Sequence, residues 1–391
     1  MRWGAGSVSG DMTRTAVLAL LARQGPLSRA EIATRLELSP AAVTSITRKL
    51  LTDGLVSEGG PRTRQAGRPS IPLALVPGAA HAIGVQIARE HVTLVLTRLD
   101  ATTVRATTHP FDPEGPAPLR GLTELIRAEV GYATASGLPL LGVGVAVPGV
   151  VEPETGTLRM SMRLGWTGMP LAALLREALG LPVLVDNDIS AVTAAERLYG
   201  PGANCADFLL VAIGQGIGLG MVLDGAPYRG AAGAAGELGH VPVSADGAVC
   251  GCGNRGCLET QVSTEALLAR ARGLGAVAPG GDLGDLLAAA AAGTPDVLSL
   301  LDQAGDLLGR VLAGSVNLLG PEVVVIIGEI TPLWPHMAVA FHRSLAAHLI
   351  PGTRETRVEV RAHDEQLIAR GAAGIVLAAP LAVPWQRQDA R

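Results

Sequence analysis

The chain has 391 residues, of which 48% are apolar and 17% are charged, and its formal net charge is −4. This length is too great for one ordinary core, and the composition is typical of packed globular domains, which excludes extensive disorder. The longest apolar runs fall well short of the ~20 residues that a membrane-spanning helix needs, and the N-terminus lacks a secretory leader pattern. We therefore expect a cytoplasmic protein of two or three domains that makes no use of a membrane.

Charge is distributed unevenly along the chain. The first 72 residues carry ten Arg and Lys against five Asp and Glu, whereas the remainder carries 21 against 30. A basic segment joined to a larger acidic one is typical of a small nucleic-acid-binding module attached to another domain.

The N-terminal segment predicts three short helices. Apolar residues recur at helical spacing over residues 13–24, and Gly25-Pro26 ends that run. Ser28 and Glu31 have the spacing of a capping box, which predicts a second helix to about Leu36. Ser39-Pro40 then supplies a cap and an N-terminal proline for a third helix that ends at Leu50 or Leu51.

The third helix has two different faces. Val43, Ile46 and Leu50 share one, and the other consists of small, polar or cationic residues, namely Ala41, Thr44, Ser45 and Arg48. In an isolated helix this second face would be an ordinary solvated surface. Three short helices followed by an arginine-rich hairpin instead indicate a winged helix-turn-helix whose last helix enters the major groove of DNA. The wing and linker add Arg62, Arg64 and Arg68, which we expect to contact phosphates or a narrow minor groove.

Beyond residue 73 the sequence alternates β-branched runs with helical ones, which predicts an α/β domain. The runs cover residues 82–87, 92–96, 142–147, 183–185 and 208–213. Several end in glycine-rich turns, such as Gly214-Gln215-Gly216-Ile217-Gly218, where backbone amides could approach a ligand or where two strands could simply reverse.

A cluster of potential metal ligands gives the most specific indication. His240 precedes Cys250, Cys252 and Cys257, and these four residues can complete a closed tetrahedral shell around a structural Zn²⁺. Glu237 and Glu259 flank the cluster, so the zinc loop could fix two carboxylates beside one imidazole, which suits sugar hydroxyls. Asn187 and Asp188 directly follow an apolar run, at a strand end where α/β folds present ligand-binding residues or form a turn.

Together these residues resemble the ROK family of repressors, open-reading-frame proteins and sugar kinases, over nearly the whole chain. The resemblance implies an α/β fold with an N-terminal winged helix-turn-helix and a two-lobed, actin-like and sugar-kinase-like (ribonuclease H-like) ATPase-fold domain with a structural zinc site. It places the DNA-binding domain at residues 1–72 and the sugar-binding domain at 73–391. Lobe 1 would cover about 73–190 plus a C-terminal helix at about 365–391, and lobe 2 about 191–364.

The resemblance also implies which residues contact a sugar. These are Asn187, Asp188, Glu237, His240 and Glu259, with Asp188 at the position of the kinases' catalytic base. Ser190 stands where the family usually has asparagine.

The phosphate-handling segments depart from the kinase pattern. The kinases carry Asp-x-Gly-Gly-Thr on their first strand, and the matching residues here run from Gln86 to Glu90 without the aspartate or the glycines. The C-terminal adenosine segment is similarly altered, since Glu329 replaces the second glycine of an expected Gly-Gly pair, and Gln215 replaces the threonine of the second phosphate loop. We therefore expect no catalytic activity, because phosphoryl transfer depends on preorganised amides and positive charge, and we expect Asp188 to be a vestigial base.

The resulting hypothesis is a transcriptional repressor of sugar-metabolism genes, in which a bound monosaccharide alters operator affinity. The repressor branch implies a homodimer or homotetramer on a two-fold symmetric operator. The alternatives are an ATP-dependent sugar kinase with a DNA-binding arm, based on Asp188 and the glycine loop, and a zinc-sensing regulator.

Overall fold

The computed structural model describes residues 5–60, 70–231 and 233–378. It divides into two compact units. The first contains the chain up to Gly200 together with the segment from Gln366 onward, and the second runs from Pro201 to Glu365. The contacts of Arg62, Arg64 and Arg68 that the sequence predicts lie outside the described residues.

The N-terminal module of the first unit is a winged helix-turn-helix. Its helices are α1 (Ala5–Gln24), α2 (Arg29–Arg35) and α3 (Pro40–Thr52). The capping box at Ser28 is present, with the Glu31 carboxylate accepting from the Ser28 amide at 2.9 Å. Strands β1 (Leu27–Ser28), β2 (Val56–Glu58) and β3 (Pro72–Leu75) form an antiparallel sheet in the order β1-β3-β2.

The α/β part of the first unit has a five-stranded sheet in the order β11-β7-β4-β5-β6. Its strands are β4 (His81–Ile87), β5 (His91–Arg98), β6 (Thr103–Pro110), β7 (Leu140–Val147) and β11 (Val183–Asn187). The strands β11, β7 and β4 are parallel, and β5 and β6 continue antiparallel. Val, Ile and Leu side chains occupy the buried positions of these strands, as the apolar runs predict.

Helices cover this sheet. They are α4 (Pro118–Ala135), α5 (Leu171–Leu179), α6 (Asp188–Tyr199) and α12 (Leu367–Ala378). A small additional sheet is formed by β8 (Val150–Glu152), β9 (Thr157–Ser161) and β10 (Trp166–Met169).

Helix α12 approaches the sheet so closely that only glycine fits beneath it. A Cβ on Gly144 would lie 1.8 Å from the carbonyl oxygen of Ala372, and one on Gly84 would lie 1.9 Å from that of Ala369. Helix α12 also packs against α6, and α1 contacts both helices. The apolar residues of α1, among them Val17 and Leu21, therefore share one core with Ala373 and Leu377 of α12.

The second unit has its own five-stranded sheet, in the order β14-β13-β12-β15-β16. The strands are β12 (Phe208–Ile213), β13 (Ile217–Leu223), β14 (Ala226–Pro227), β15 (Val323–Ile327) and β16 (Arg357–Val360). The helices are α7 (Glu259–Val262), α8 (Thr264–Gly273), α9 (Leu283–Ala291), α10 (Pro295–Leu319) and α11 (Trp334–His348). Helices α10 and α11 pack extensively against each other and close a core that contains Phe341 and Met337.

Within the described ranges, no helix combines the length and the apolar character needed to cross a bilayer.

Candidate metal centre and DNA-binding surface

The four predicted metal ligands converge in the second unit. The ligand atoms of His240, Cys250, Cys252 and Cys257 all lie within 4.8 Å of one another. The Sγ atoms of Cys252 and Cys257 are 3.7 Å apart, and Cys250 Sγ is 3.4 Å from His240 Nδ1. A tetrahedral Zn²⁺ with Zn–S bonds of about 2.3 Å separates two sulphurs by about 3.8 Å, so the cluster fits a zinc site.

Tight turns hold these ligands together. The Cys250 amide donates to Asn254 O at 2.8 Å, and the Gly253 amide donates back to Cys250 O at 2.9 Å. Gly256 has φ +66°, and a Cβ on it would lie 1.7 Å from Ser244 O. Gly253 also has a positive φ, of +92°, so the turn geometry favours glycine at these two positions between Cys252 and Cys257.

The thiols of the cluster have unequal acidities. Burial raises the pKa of Cys250 to about 12 and also raises the pKa of Cys257. A hydrogen bond from the backbone of Asn254 lowers the pKa of Cys252, which is the least buried of the three. A divalent ion that binds here would have to displace protons from the buried thiols, which is what a coordinating Zn²⁺ does.

The two ring nitrogens of His240 have different neighbours. Nδ1 lies toward the cysteines and 3.7 Å from Glu259 Oε1, whereas Nε2 lies 3.7 Å from Glu237 Oε2. The structure thus brings Glu237, His240 and Glu259 together, with the Glu237 side chain 55% exposed and that of Glu259 21% exposed. Glu259 Oε1 also accepts a 3.1 Å hydrogen bond from Cys250 Sγ, so part of this carboxylate supports the cluster itself.

Asn187 and Asp188 lie in the first unit, where β11 ends and α6 begins. The Asn187 side-chain oxygen caps α6 by accepting from the amides of Ile189 at 2.9 Å and Ser190 at 3.2 Å. Its side-chain nitrogen donates to Gly149 O at 2.9 Å. The predicted sugar residue is therefore also the residue that fixes the start of a helix.

The glycine loop after β12 has a carboxylate beside it. The Glu329 side chain is 3.4 Å from the position that a Cβ on Gly214 would take, and Thr264 Oγ1 donates to Glu329 Oε2 at 2.9 Å. The Thr264 amide donates to Gly214 O, also at 2.9 Å. Thr264 thus binds both the loop and the carboxylate. This contact could not be predicted from local sequence, because Thr264 and Glu329 are 65 residues apart.

Residues 86–90 cover the last two residues of β4 and the turn that joins it to β5. The Ala88 amide donates to His91 O at 2.9 Å, and the Arg89 guanidinium lies 3.9 Å from Glu114. Gln86 Oε1 is buried, and it has no hydrogen-bond partner within the described ranges.

Helix α3, the predicted recognition helix, exposes to solvent the residues that were predicted to contact DNA. Ala41, Thr44, Ser45 and Arg48 are exposed, whereas Val43, Thr47 and Leu50 are buried on the opposite side of α3. The helix is capped by Ser39 Oγ, which accepts from the Ala42 amide at 3.2 Å.

Two arginines that the sequence analysis did not single out hold this module together. The Arg29 guanidinium donates to Thr47 Oγ1 at 3.2 Å and to Glu58 at 2.8 Å, which links α2 to α3 and β2. Arg14 binds Asp53 at 2.8 Å, which links α1 to the end of α3. These pairs span 29 and 39 residues, so only the tertiary fold reveals them.

Comparisons with known proteins agree with this architecture. Residues 82–379 match the model of the ROK family, and residues 11–58 match the model of the MarR family. The chain is 29% identical to the DNA-binding transcriptional dual regulator NagC of Escherichia coli strain K12, over 95% of this chain and 93% of that protein. It is 31% identical to the xylose repressor of Caldicellulosiruptor bescii, over 62% of this chain and 61% of that protein.

Two solved structures are similar. A ROK family transcriptional regulator, a homologue of the E. coli MLC protein, superposes with a TM-score of 0.79 and 28% identity, over 94% of this chain and 96% of that one. A ROK family glucokinase from Streptomyces griseus in complex with glucose and AMPPNP has a TM-score of 0.65 and 25% identity, over 76% of this chain and 99% of that one. The ROK match covers about three quarters of the sequence, and the chain therefore belongs to the ROK family.

Proposed function

We propose that this protein is a sequence-specific DNA-binding repressor of sugar-metabolism genes, and that a monosaccharide bound by the ROK domain modulates its affinity for an operator. The observation that carries the proposal is the exposed face of α3 in a capped winged helix-turn-helix. The repressor names of relatives that align over most of the chain add support. Residues 1–72 would bind DNA and residues 73–391 would bind the sugar, as two copies of the chain engage a two-fold symmetric operator in the cytoplasm.

The sugar would be held by Glu237, His240 and Glu259, and by Asn187 and Asp188. Carboxylates accept hydrogen bonds from sugar hydroxyls, and a neutral imidazole can donate or accept one. The position of His240 Nε2, on the opposite side of the ring from the cysteines, supports a double role in which Nδ1 binds the metal and Nε2 binds the sugar. A metal-bound Nδ1 would also fix the tautomer of the ring, with the proton on Nε2.

We assign a structural Zn²⁺ to the Cys₃His cluster. Three thiolates and one imidazole fill a tetrahedral shell and leave no position for water. The metal would anchor the loop that carries His240 and Glu259, so its role would be to preserve the sugar-binding edge. A closed shell of this kind favours this role over zinc sensing.

Sugar phosphorylation is disfavoured by the two segments that correspond to the kinases' phosphate loops. Residues 86–90 supply side chains where a phosphate would need backbone amides, and Glu329 places a carboxylate beside Gly214. A phosphate bound at this backbone would be repelled by the like charge of the carboxylate, and more strongly where water is partly excluded. Asp188 would then have no phosphoryl donor to act with.

The experiment selects genomic fragments that the full-length protein binds, and it then measures binding with and without a panel of monosaccharides. We expect a specific site, and one sugar that changes its affinity. The variant Arg48→Ala should lower the affinity for the selected site more than the affinity for other sequences. Arg35→Ala removes the same charge from an exposed position on α2 and should weaken binding to all sequences alike. Failure to select any sequence would contradict the repressor proposal, and ATP-dependent phosphorylation of a sugar would favour the kinase.

A further inference from the structure

The exposed face of α3 has two parts of different chemistry. At its N-terminal end, the Thr44 hydroxyl donates a 2.8 Å hydrogen bond to Pro40 O within the helix. Thr44 therefore has no hydroxyl hydrogen to offer to a DNA base, and its exposed methyl group lies one turn from the methyl group of Ala41. These two residues form what we call the methyl patch.

The second part of the face is one cation. Arg48 lies one turn beyond Thr44 and is exposed, and no hydrogen bond or ion pair of its guanidinium falls within the described ranges. Arg14 and Arg29 of the same module are instead engaged with Asp53 and Glu58. Arg48 is thus available for a ligand that approaches α3, whereas the two other arginines hold the helix in place.

Each part matches a group that the major groove displays. Thymine presents its C5-methyl group there, and guanine presents the O6 and N7 acceptors that an arginine binds with two hydrogen bonds. We propose that α3 reads thymine with the methyl patch and guanine with Arg48. A four-residue step along a helix is about 6 Å, so the two bases lie within about two base pairs of each other. This proposal rests on the proposed function, since it assigns the specificity of the DNA-binding surface.

The thymine contact can be tested by removing one methyl group from each partner. The site that the full-length protein selects is rebuilt with deoxyuridine in place of each thymidine in turn, and binding constants are measured for the wild type and Thr44→Ser. We expect the wild type to lose about fourfold in affinity at one position, as burial of one methylene predicts. Thr44→Ser should show a similar loss on the unmodified site and a smaller further loss than the wild type at that position, because only the Ala41 methyl group remains.

A matched control is available on α2. Thr34 is exposed and donates to Ala30 O at 3.1 Å, so Thr34→Ser removes a methyl group from the same local arrangement outside the recognition face. This variant should keep the full sensitivity to deoxyuridine. If Thr44→Ser responds to every substitution as the wild type and Thr34→Ser do, the methyl patch does not read thymine and that part of the proposal is overturned.

The guanine contact is tested with 7-deazaguanine, which lacks the N7 acceptor. One such substitution removes one of the two hydrogen bonds and should reduce wild-type affinity by about two- to twelvefold, as half the free energy of a bidentate pair predicts. Arg48→Ala should bind weakly and be insensitive at that position, whereas Arg35→Lys should remain sensitive. Equal sensitivity of Arg48→Ala and the wild type would overturn the assignment while leaving sequence-specific binding intact. A wild type that selects no sequence at all would overturn the proposed function together with this inference.

Discussion

The Thr264 hydroxyl donates a 2.9 Å hydrogen bond to the Glu329 carboxylate, and the Thr264 amide binds Gly214 O in the glycine loop. The loop retains the glycines that would allow its backbone to approach a phosphate. A fixed negative charge now stands beside that backbone. We expect the Glu329 carboxylate beside this backbone to disfavour a bound anion through like-charge repulsion.

The variant Glu329→Ala should regain nucleotide binding without regaining catalysis. Removal of the carboxylate eliminates a repulsion at close range, and we expect the affinity for Mg·ATP to rise by at least about tenfold. No sugar should be phosphorylated, because residues 86–90 still lack the aspartate and the glycines. Isothermal titration with ATP and a coupled assay of ADP release measure the two effects.

Glu355→Ala serves as the control for net charge, since Glu355 is an exposed residue of the same unit with no role in the glycine loop. It should bind ATP as weakly as the wild type. Equal ATP affinity of the wild type and Glu329→Ala would show that this carboxylate is not what keeps nucleotides out.

Removal of one zinc ligand should damage the response to sugar before it damages binding to DNA. The wild type should contain about one zinc per chain, and Cys252→Ser should lose it, because a tetrahedral shell needs four ligands. The loop that carries His240 and Glu259 would then be released, whereas α3 belongs to the other unit. Elemental analysis measures the zinc content, sugar titration measures the response to sugar, and an operator-binding assay measures the affinity for DNA.

Cys205→Ser provides the comparison, because Cys205 is a buried free thiol outside the cluster. It should retain zinc and the sugar response. The expectation is wrong if Cys252→Ser loses zinc and still responds to the sugar with wild-type affinity.

Those parts of the structure that depend on local sequence could be predicted. The three cysteines lie within eight residues, so their spacing nearly dictates the cluster, and the capping box at Ser28 requires only a serine and a glutamate three apart. The buried strands could be predicted because runs of β-branched residues favour strands over other secondary structure. The sheet of β8, β9 and β10 was missed, because its strands have three to five residues and their exposed positions include Met160.

Contacts between distant segments could not be predicted. The pairs Arg29–Glu58 and Thr264–Glu329 join residues that are far apart in sequence, and no local pattern identifies the partner of either Arg29 or Glu329. The need for glycine at Gly84 and Gly144 could not be predicted either, because it arises from the close approach of α12 in the folded structure. Whether a position requires glycine depends on which segment packs against it in the folded chain.

Gly144→Ala should therefore be strongly destabilising. The added methyl group would meet Ala372 O at 1.8 Å, and backbone cannot yield as a flexible side chain can. We expect a loss of about 3 kcal/mol or more in the free energy of unfolding, at the upper end of the cost of overpacking. Gly131→Ala offers the contrast, because Gly131 is exposed on α4 with nothing within 4 Å of a new Cβ. Gly131→Ala should raise the free energy of unfolding by about 0.5–1 kcal/mol, because alanine has a higher helix propensity than glycine. Thermal unfolding of both variants measures the two effects.

Glu129 should make the stability of the first unit depend on pH. Its side chain is 5% exposed, and burial raises its pKa although Arg105 lies 3.2 Å away and opposes the shift. Folding thus favours the protonated form, so the stability contributed by Glu129 is present at low pH and is lost as pH rises through the folded-state pKa. Glu129→Gln cannot ionise, and its stability relative to the wild type should increase between pH 4 and pH 7.

Denaturant unfolding across this pH range measures the difference. Glu124→Gln changes an exposed residue of the same helix and should follow the wild type at every pH. A Glu129→Gln curve parallel to the wild-type curve would mean that Glu129 titrates with the same pKa in the folded and unfolded chains.

Asn187 combines a helix cap with a proposed sugar contact, and two substitutions can separate these roles. Asn187→Ala removes the acceptor that caps α6 and should cost about 1 kcal/mol of stability. Asn187→Asp retains an acceptor for the same amides and adds a charge that favours a helix N-terminus, so it should lose less stability than Asn187→Ala, although its second oxygen would face the Gly149 carbonyl without a hydrogen. It lacks the amide hydrogens, one of which the Gly149 carbonyl accepts at 2.9 Å.

If the amide contacts the sugar, both variants should lose sugar affinity to a similar extent although Asn187→Ala loses more stability. Asp282 provides a control for the cap, because its carboxylate accepts from the amides of Gly284 and Asp285 at the start of α9. Asp282→Ala should cost a similar amount of stability and leave the sugar response unchanged. Retention of full sugar affinity in Asn187→Asp would restrict Asn187 to a structural role. Because α6 packs against α1 of the DNA-binding module, Asn187→Ala would in that case affect operator binding through the position of the helix alone.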